Sequence, residues 1–514
     1  MRTLPLPSIV GAVVMVAFSA ASAAQPTRPE SGIDLAQVPK WSHADLDFFL
    51  HGSMSTEVVP EQVLRAFMEI YPDLFPQQDL SNFGSIPDAS FGWPIGFSRR
   101  NVPHLGGMSS IGINCAACHV GEIHFGADTK PVRVLGMTAQ FDPEAFFGAV
   151  IVATFRTQDP ANMEKFENHF GAFSIEIDWA ENHHAEILAA IKEDPTGAKG
   201  AGPGGLQEIA LEDLRSFDAT VKTRTLLKLF HNMRAALHIP DQPPPASPPN
   251  GPGRNDPWRI LSYSLLGIQT KPAQIKFGLV WNEDQRAWVH YDANTRSPII
   301  RNLAASLGLG APLIGHDGVL KFADVQRHTT LSESIRPPRY PGTIDHERAS
   351  RGAKIYTKNC AACHDGPLTD QRLHSVAEIG TDPNRAEIFT LDIAEGFNKF
   401  FADLQIPGYH SPDKPIRSTQ KYWAPSLAGV WARSPYLHNG SVRTMTELLT
   451  PPDVRAKNFH RGSRTYDSTQ MGYTDDGTYV LDTTIPGSSN TGHNFGTDLT
   501  DTEKNELIEY LKTL

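Results

Sequence analysis

The sequence predicts a mainly α fold, with short helices set in long loops and little β. Three observations lead there. Apolar positions recur at helical spacing in separated segments, not in one long run. The 514 residues include 40 prolines and 41 glycines, which punctuate the chain. The four cysteines fall into two identical motifs, Cys115-Ala-Ala-Cys118-His119 and Cys360-Ala-Ala-Cys363-His364.

Taken in order, Met1-Arg2 precede an apolar run at 9–18 and the small residues Ala21-Ser22-Ala23, so residues 1–23 read as a secretory signal. The run is shorter than the roughly 20 residues that cross a bilayer, and no membrane span is expected after cleavage. Segments 45–50 and 61–70 read as short helices, the second with Val63, Leu64, Phe67 and Met68 on its apolar side. A loop-rich stretch from 75 leads into the first cysteine motif, and aromatic-rich segments follow at 143–155 and 163–173. At 206–239 a stripe of Leu214, Phe217, Val221, Leu226, Leu229 and Leu237 predicts a long core-packing helical region.

The Pro/Gly-rich stretch 240–257 is extended and free of helix. Residues 271–311 mix short apolar runs with Trp281, Trp288 and Tyr291, and a second break comes at 336–341. Residues 346–358 read as a helix entering the second motif, and a last helix opens with Thr500 as N-cap and Glu503 three residues on. About 490 mature residues exceed one ordinary core. The expected division is an N-terminal region at 24–150 that carries the first cysteine motif, a helical and loop-rich middle at 151–335 that completes it, and a C-terminal domain at 336–514 that carries the second.

Cys-x-x-Cys-His is the attachment signature of c-type haem: the two thiols bond the porphyrin and the histidine ligates the iron. A zinc site would want further Cys or His at short spacing, and a redox dithiol has no use for the repeated histidine. Two covalent haems c are therefore expected, on Cys115, Cys118, Cys360 and Cys363, with His119 and His364 as proximal iron ligands.

Losing Arg2 with the signal takes the basic residues from 46 to 45 against 57 acidic, and the net charge from −11 to −12. That balance excludes nucleic acid and anionic membrane surfaces as partners, and suits a basic electron carrier. The signal and the haems agree on a bacterial periplasmic or secreted location.

At this point the residues match a family. Arg351-Gly-Ala-Lys-Ile-Tyr-Thr-Lys-Asn-Cys-Ala-Ala-Cys-His364, Pro425-Ser-Leu-Ala-Gly-Val-Trp-Ala-Arg-Ser-Pro-Tyr-Leu-His-Asn-Gly-Ser-Val442 and the closing Leu-x-x-Tyr-Leu-Lys-x-Leu resemble the bacterial di-haem cytochrome c peroxidase superfamily. The nearer resemblance is to the branch with the rubber oxygenases, on Pro94-Ile-Gly-Phe97, Ile113-Asn114 before the first motif, Arg301-Asn302-Leu303 to Gly310, and Gly492-His493-Asn494-Phe495-Gly496. The likeness implies two cytochrome c-like haem domains, the last helix packing across the helix that enters the second motif. It also implies a calcium ion between the domains, although no acidic cluster with loop spacing marks its place.

His493 matches the branch's distal histidine for the second haem. Met445 and His438 stay open as alternatives, the peroxidases proper using a methionine in this region. For the first haem no distal histidine is evident: His124 is only five residues past His119, the next is His169, and Leu135 and Met137 stand between. An open or weakly ligated first iron marks it as the reaction centre. Hydrogen peroxide or dioxygen is the expected oxidant, with the second haem relaying electrons from a small redox protein.

An inter-haem aromatic relay is common in the superfamily, and Trp281 and Trp288 are candidates for it. Phe146, Phe147 and Phe155 suit a dry pocket for an apolar organic substrate. Asp317 and Glu122 are candidate acid/base groups for peroxide. The alternative to an enzyme is a non-catalytic di-haem electron-transfer protein with both irons six-coordinate.

Overall fold

Helices predominate, and the strands are short and antiparallel. The computed structural model describes residues 32–102, 105, 108–126, 129–170, 247–312, 320–369 and 371–514. The signal, the 206–239 stripe and Asp317 lie outside these residues.

Several expected helices form where periodicity places them. Glu61–Ile70 buries Val63, Leu64, Ala66 and Phe67. Pro143–Thr157 starts on a proline after Asp142, whose carboxylate accepts from the Ala145 N–H. The last helix, Asp501–Leu511, carries the full capping box of Thr500 and Glu503.

Two elements were not expected. The stretch after residue 75 contains a hairpin, Phe97–Val102 paired with Met108–Ile113, and Val59–Pro60 adds a third strand. Its first strand does not alternate cleanly between buried and exposed positions, so the period-two signal is missing. The helix Pro298–Gly308 arises within 271–311; its buried Ile300, Leu303, Ala304 and Leu307 stand at helical spacing behind a proline start.

The helix entering the second motif is His346–Asn359, and the last helix crosses it closely. A Cβ on Gly352 would lie 2.0 Å from the Glu506 carbonyl oxygen, so only glycine permits this approach. Arg351 pairs with Glu506, and the Tyr356 and Tyr510 rings sit 5.1 Å apart.

From Gly32 onward the described residues belong to one compact unit. One apolar cluster joins distant parts of the chain: Phe49, Leu50, Val120 and Leu135 share it with Trp281, Trp431, Tyr436 and Leu507. A second packs the three-stranded sheet against Phe67, Phe141 and Phe146. A third gathers Trp258, Leu303, Phe389 and Phe397.

Candidate haem sites

Each motif forms one short helical turn, Cys115–His119 and Ala361–His364. Asn114 caps the first, its side chain accepting from the Ala116 N–H and donating to the Gly52 carbonyl. Burial pushes the thiols up, Cys115 and Cys360 to about 11 and Cys118 to about 12. These are not the acidic thiols of a redox dithiol.

The two histidines sit differently. His364 donates through Nδ1–H to the Pro425 carbonyl at 2.7 Å, which fixes the tautomer and leaves Nε2 with its lone pair. His119 has a buried Nδ1 without a hydrogen bond, the Gly278 backbone beside it and the Phe277 ring 6.3 Å away. Burial and the Arg301 charge lower its pKa to about 3, so the imidazole is neutral and can ligate. Paired thiols, a neutral imidazole on the same turn and an adjoining cavity fit covalent haem.

That cavity, about 1060 Å³, is lined by Cys118 and His119 and reaches Trp423 and Pro425. Its volume is that of a cofactor or ligand site. Much of the wall is apolar, including Phe147, Ile151, Trp258, Leu261, Phe277 and Leu309. The polar groups include Arg301 and Glu283, which form an ion pair, and Tyr291 and His290. Phe147 thus lines the cavity, whereas Phe146 is buried in the core and Phe155 is 45% exposed.

His290 is the residue that sequence reasoning missed. Its Nδ1–H donates to Asn294 Oδ1 at 2.7 Å, which leaves Nε2 as the lone-pair nitrogen. Its backbone is left-handed, φ 73°. Such strain persists only where the surroundings over-determine it. Here Asp292 and Arg385 form a buried bidentate pair, and Thr419 and Arg417 donate to the carbonyls of Asp292 and Ala293.

His493 lies within electrostatic reach of His364, and burial and that neighbour lower its pKa to about 4. Its Nδ1 is buried without a partner and its φ is 52°. The loop is fixed by Arg455, which donates to the carbonyls of Asn490, Gly492 and His493. A Cβ on Gly492 would lie 2.2 Å from the Gly380 backbone.

His438 stacks on Tyr422 at 4.5 Å and its Nε2 bonds the phenol oxygen. Because that hydroxyl already donates to the Asp382 carbonyl, His438 Nε2–H is the donor and has no lone pair for iron. Met445 is buried in the core at the start of a helical turn. Glu122 is held by Arg133, Arg464 and His124, an ion network that ties the first haem region to residue 464.

Trp281 is fully buried, and its Nε1–H donates to the Leu135 carbonyl at 2.6 Å. It is flanked by two glycines: a Cβ on Gly136 would lie 2.4 Å from Nε1, and one on Gly429 2.9 Å from Cζ3. Trp288 is half-buried under the Arg417 guanidinium, 3.7 Å from its ring centre, and its backbone bonds Gln371.

A family described as RoxA-like, cytochrome c-like matches residues 421–460, the segment with Pro425, Arg433, His438 and Met445. Two proteins of Denitromonas iodatirespirans named cytochrome-c peroxidase are similar over shorter stretches. IdrP1 is 30% identical over 113 residues, 20% of this chain and 30% of its own length. IdrP2 is 28% identical over 107 residues, 19% and 29%. These likenesses support a di-haem cytochrome c peroxidase-like, RoxA-related family.

The likeness extends along most of the chain in another relative, the uncharacterized protein y4iJ of Sinorhizobium fredii (strain NBRC 101917 / NGR234). It is 26% identical over 602 aligned residues, 94% of this chain and 95% of its own. A cytochrome c-like segment implies covalent haem c. Among the described residues no helix is long and apolar enough to cross a membrane, and no cluster of His, Cys, Asp and Glu could hold a further metal ion.

Proposed function

We propose that the chain is an exported di-haem oxidoreductase in which hydrogen peroxide or dioxygen is activated at the N-terminal haem and electrons are relayed by the C-terminal one. The observation that carries this is the asymmetry of the two histidines. His364 has a carbonyl-fixed tautomer and His493 within electrostatic reach, whereas His119 opens onto the large, mostly apolar cavity. When bound, the first iron supplies a position for the oxidant and the second stores an electron.

The chain's residues divide the rest of the work. His364 and His493 would hold the C-terminal iron, a ligation that would favour electron transfer over binding of a small molecule. Trp281 lies between Gly136, whose N–H donates to the His119 carbonyl at 2.6 Å, and Gly429, four residues past Pro425, and is the relay between the haems. Phe147, Trp258 and Leu261 exclude water from the cavity and suit an apolar organic substrate. His290 Nε2 is the group that accepts or returns a proton beside the oxidant. A small redox protein is the electron donor.

One observation favours a second reading, a non-catalytic electron carrier: His290 shares a cavity with His119 and would complete a six-coordinate iron there. Electron paramagnetic resonance of the oxidised protein, followed by rapid mixing of its reduced and half-reduced forms with hydrogen peroxide and with dioxygen, separates the two. The enzyme gives one high-spin haem and a fast spectral response to one oxidant. Two low-spin haems with no response would establish the carrier.

A further inference from the structure

Four basic side chains of this chain are buried together with, among the described residues, no carboxylate in contact. Arg254 is 0% exposed, Arg461 2%, Lys276 4% and Arg433 7%. Arg254 and Lys276 face each other across the ladder Arg254–Asn255 with Ile275–Lys276. Arg461 donates to the carbonyls of Pro252 and Gly440, and Lys276 to those of Arg433 and Pro435. Arg433 donates to the Ala428 carbonyl and Arg254 to Ser488 Oγ.

All these partners are neutral. Asp256, Asp382 and Glu144 lie within electrostatic reach of Arg254, and Asp142 of Arg461, but among the described residues none is within ion-pair distance. Among the described residues, three buried N–H groups of this cluster have no hydrogen-bond partner: Nε and Nη1 of Arg254 and Nε of Arg433. The buried Arg385 of the same chain, by contrast, has Asp292. Burial and the neighbouring Arg286 bring Arg433 down to about 9, burial and Arg254 bring Arg461 to about 9, burial brings Arg254 to about 10, and burial with the charges of Arg433 and Arg461 lowers Lys276 well below its ordinary value. Buried charge of this kind is expensive unless an anion completes it.

The position of the cluster indicates which anion. Asn255, Ile275 and Phe277, next in sequence to Arg254 and Lys276, line the cavity with His119. Arg433 and Arg461 act on the cavity residue Tyr291, and Arg433 also on His364. The basic side chains thus stand behind the cavity wall, Arg433 toward His364. Guanidinium forks match carboxylates, and a porphyrin brings its own carboxylates to such a place.

We propose that Arg254, Lys276, Arg433 and Arg461 hold the ionised propionates of the haem bound by His119, with Arg433 at the boundary between the two haems. This rests on the haem reading and deepens it. The cluster orients the porphyrin through carboxylate contacts, and its positive charge favours the reduced iron.

The test uses the full mature chain with haem attached, its content counted by the pyridine haemochrome assay. Arg433→Gln and Arg461→Gln are compared with Arg433→Lys and with a surface control, Lys399→Gln. Spectroelectrochemistry gives the potential of each haem, and resonance Raman gives the propionate bending mode. The proposal expects a lower potential and a shifted propionate mode in both Gln variants, a smaller change in Arg433→Lys, and none in the control.

Unchanged potentials and modes in folded, haem-loaded variants would overturn it. If the variants fail to fold, the wild-type propionate mode decides: a frequency typical of solvent-exposed propionate overturns the proposal, and a strongly hydrogen-bonded one supports it. A shift of wild-type potentials on adding phosphate would assign the cations to a free anion instead. Absence of haem from the wild-type chain is a different failure, that of the underlying reading.

Discussion

Trp281 occupies the space that a side chain at Gly136 would need, its Nε1 2.4 Å from where that Cβ would stand. Gly136 bonds the His119 backbone, and Trp281's other edge meets Gly429. Trp281→Phe keeps an aromatic core but loses the indole N–H. The Leu135 carbonyl still accepts from Gln37 at 2.9 Å, but the smaller ring leaves a cavity in a fully buried site, so the stability loss is about 2–3 kcal/mol. Electron equilibration between the haems slows clearly; flash photolysis of the half-reduced protein measures it. An unchanged rate removes Trp281 from the relay.

Asp292 and Arg385 meet at 2.8 and 2.9 Å, and neither side chain is more than 1% exposed. Asp292→Ala strands a buried guanidinium and costs about 3–5 kcal/mol, read by urea unfolding. The same change releases the strained backbone at His290. In the folded fraction the spectrum of the N-terminal haem should change while that of the C-terminal haem stays constant.

Replacement of His493 by alanine should convert the C-terminal haem from low-spin to high-spin, with the N-terminal signals unmoved. Electron paramagnetic resonance at low temperature reads both. Persistence of the low-spin signal would transfer the distal role to Met445.

Glu122 is 6% exposed. Burial opposes its ionisation, but the hydrogen bond from Arg133 and the charge of Arg464 outweigh this and hold its pKa below the usual carboxylate range. A lowered pKa contributes stability above the unfolded value of about 4.3, and that contribution is lost as the pH falls through this range. Glu122→Gln should therefore cost about 2 kcal/mol at neutral pH, less than a fully buried pair because both arginines are partly exposed. The gap between wild type and variant should be flat above about pH 5 and narrow below about pH 4. The folded variant should respond to oxidant as the wild type does.

Much of the local structure was legible. The Thr500 and Glu503 capping box, the Glu61–Ile70 helix and the Pro143 start all follow from local side-chain to backbone chemistry or from apolar spacing. Gly352 also made local sense only once its neighbour was known: the helix that excludes a Cβ there begins 149 residues later, at Asp501. The hairpin at Phe97–Val102 escaped because its strand is buried irregularly.

The sequence by itself determined the expected chemistry of attachment, since two thiols and an imidazole within five residues are the signature of c-type haem whatever the fold. It also marked His493, whose flanking glycines belong to a local motif. What only the tertiary structure decided is the environment of each motif histidine. His290 comes from a loop 171 residues past His119 in the numbering, and the cations Arg254, Lys276, Arg433 and Arg461 come from four separate stretches of chain. No local spacing encodes such meetings, because burial and electrostatic neighbourhood are properties of packing. Two identical pentapeptides therefore became two unlike sites, one beside His493 and the other facing a cavity with His290 in its wall.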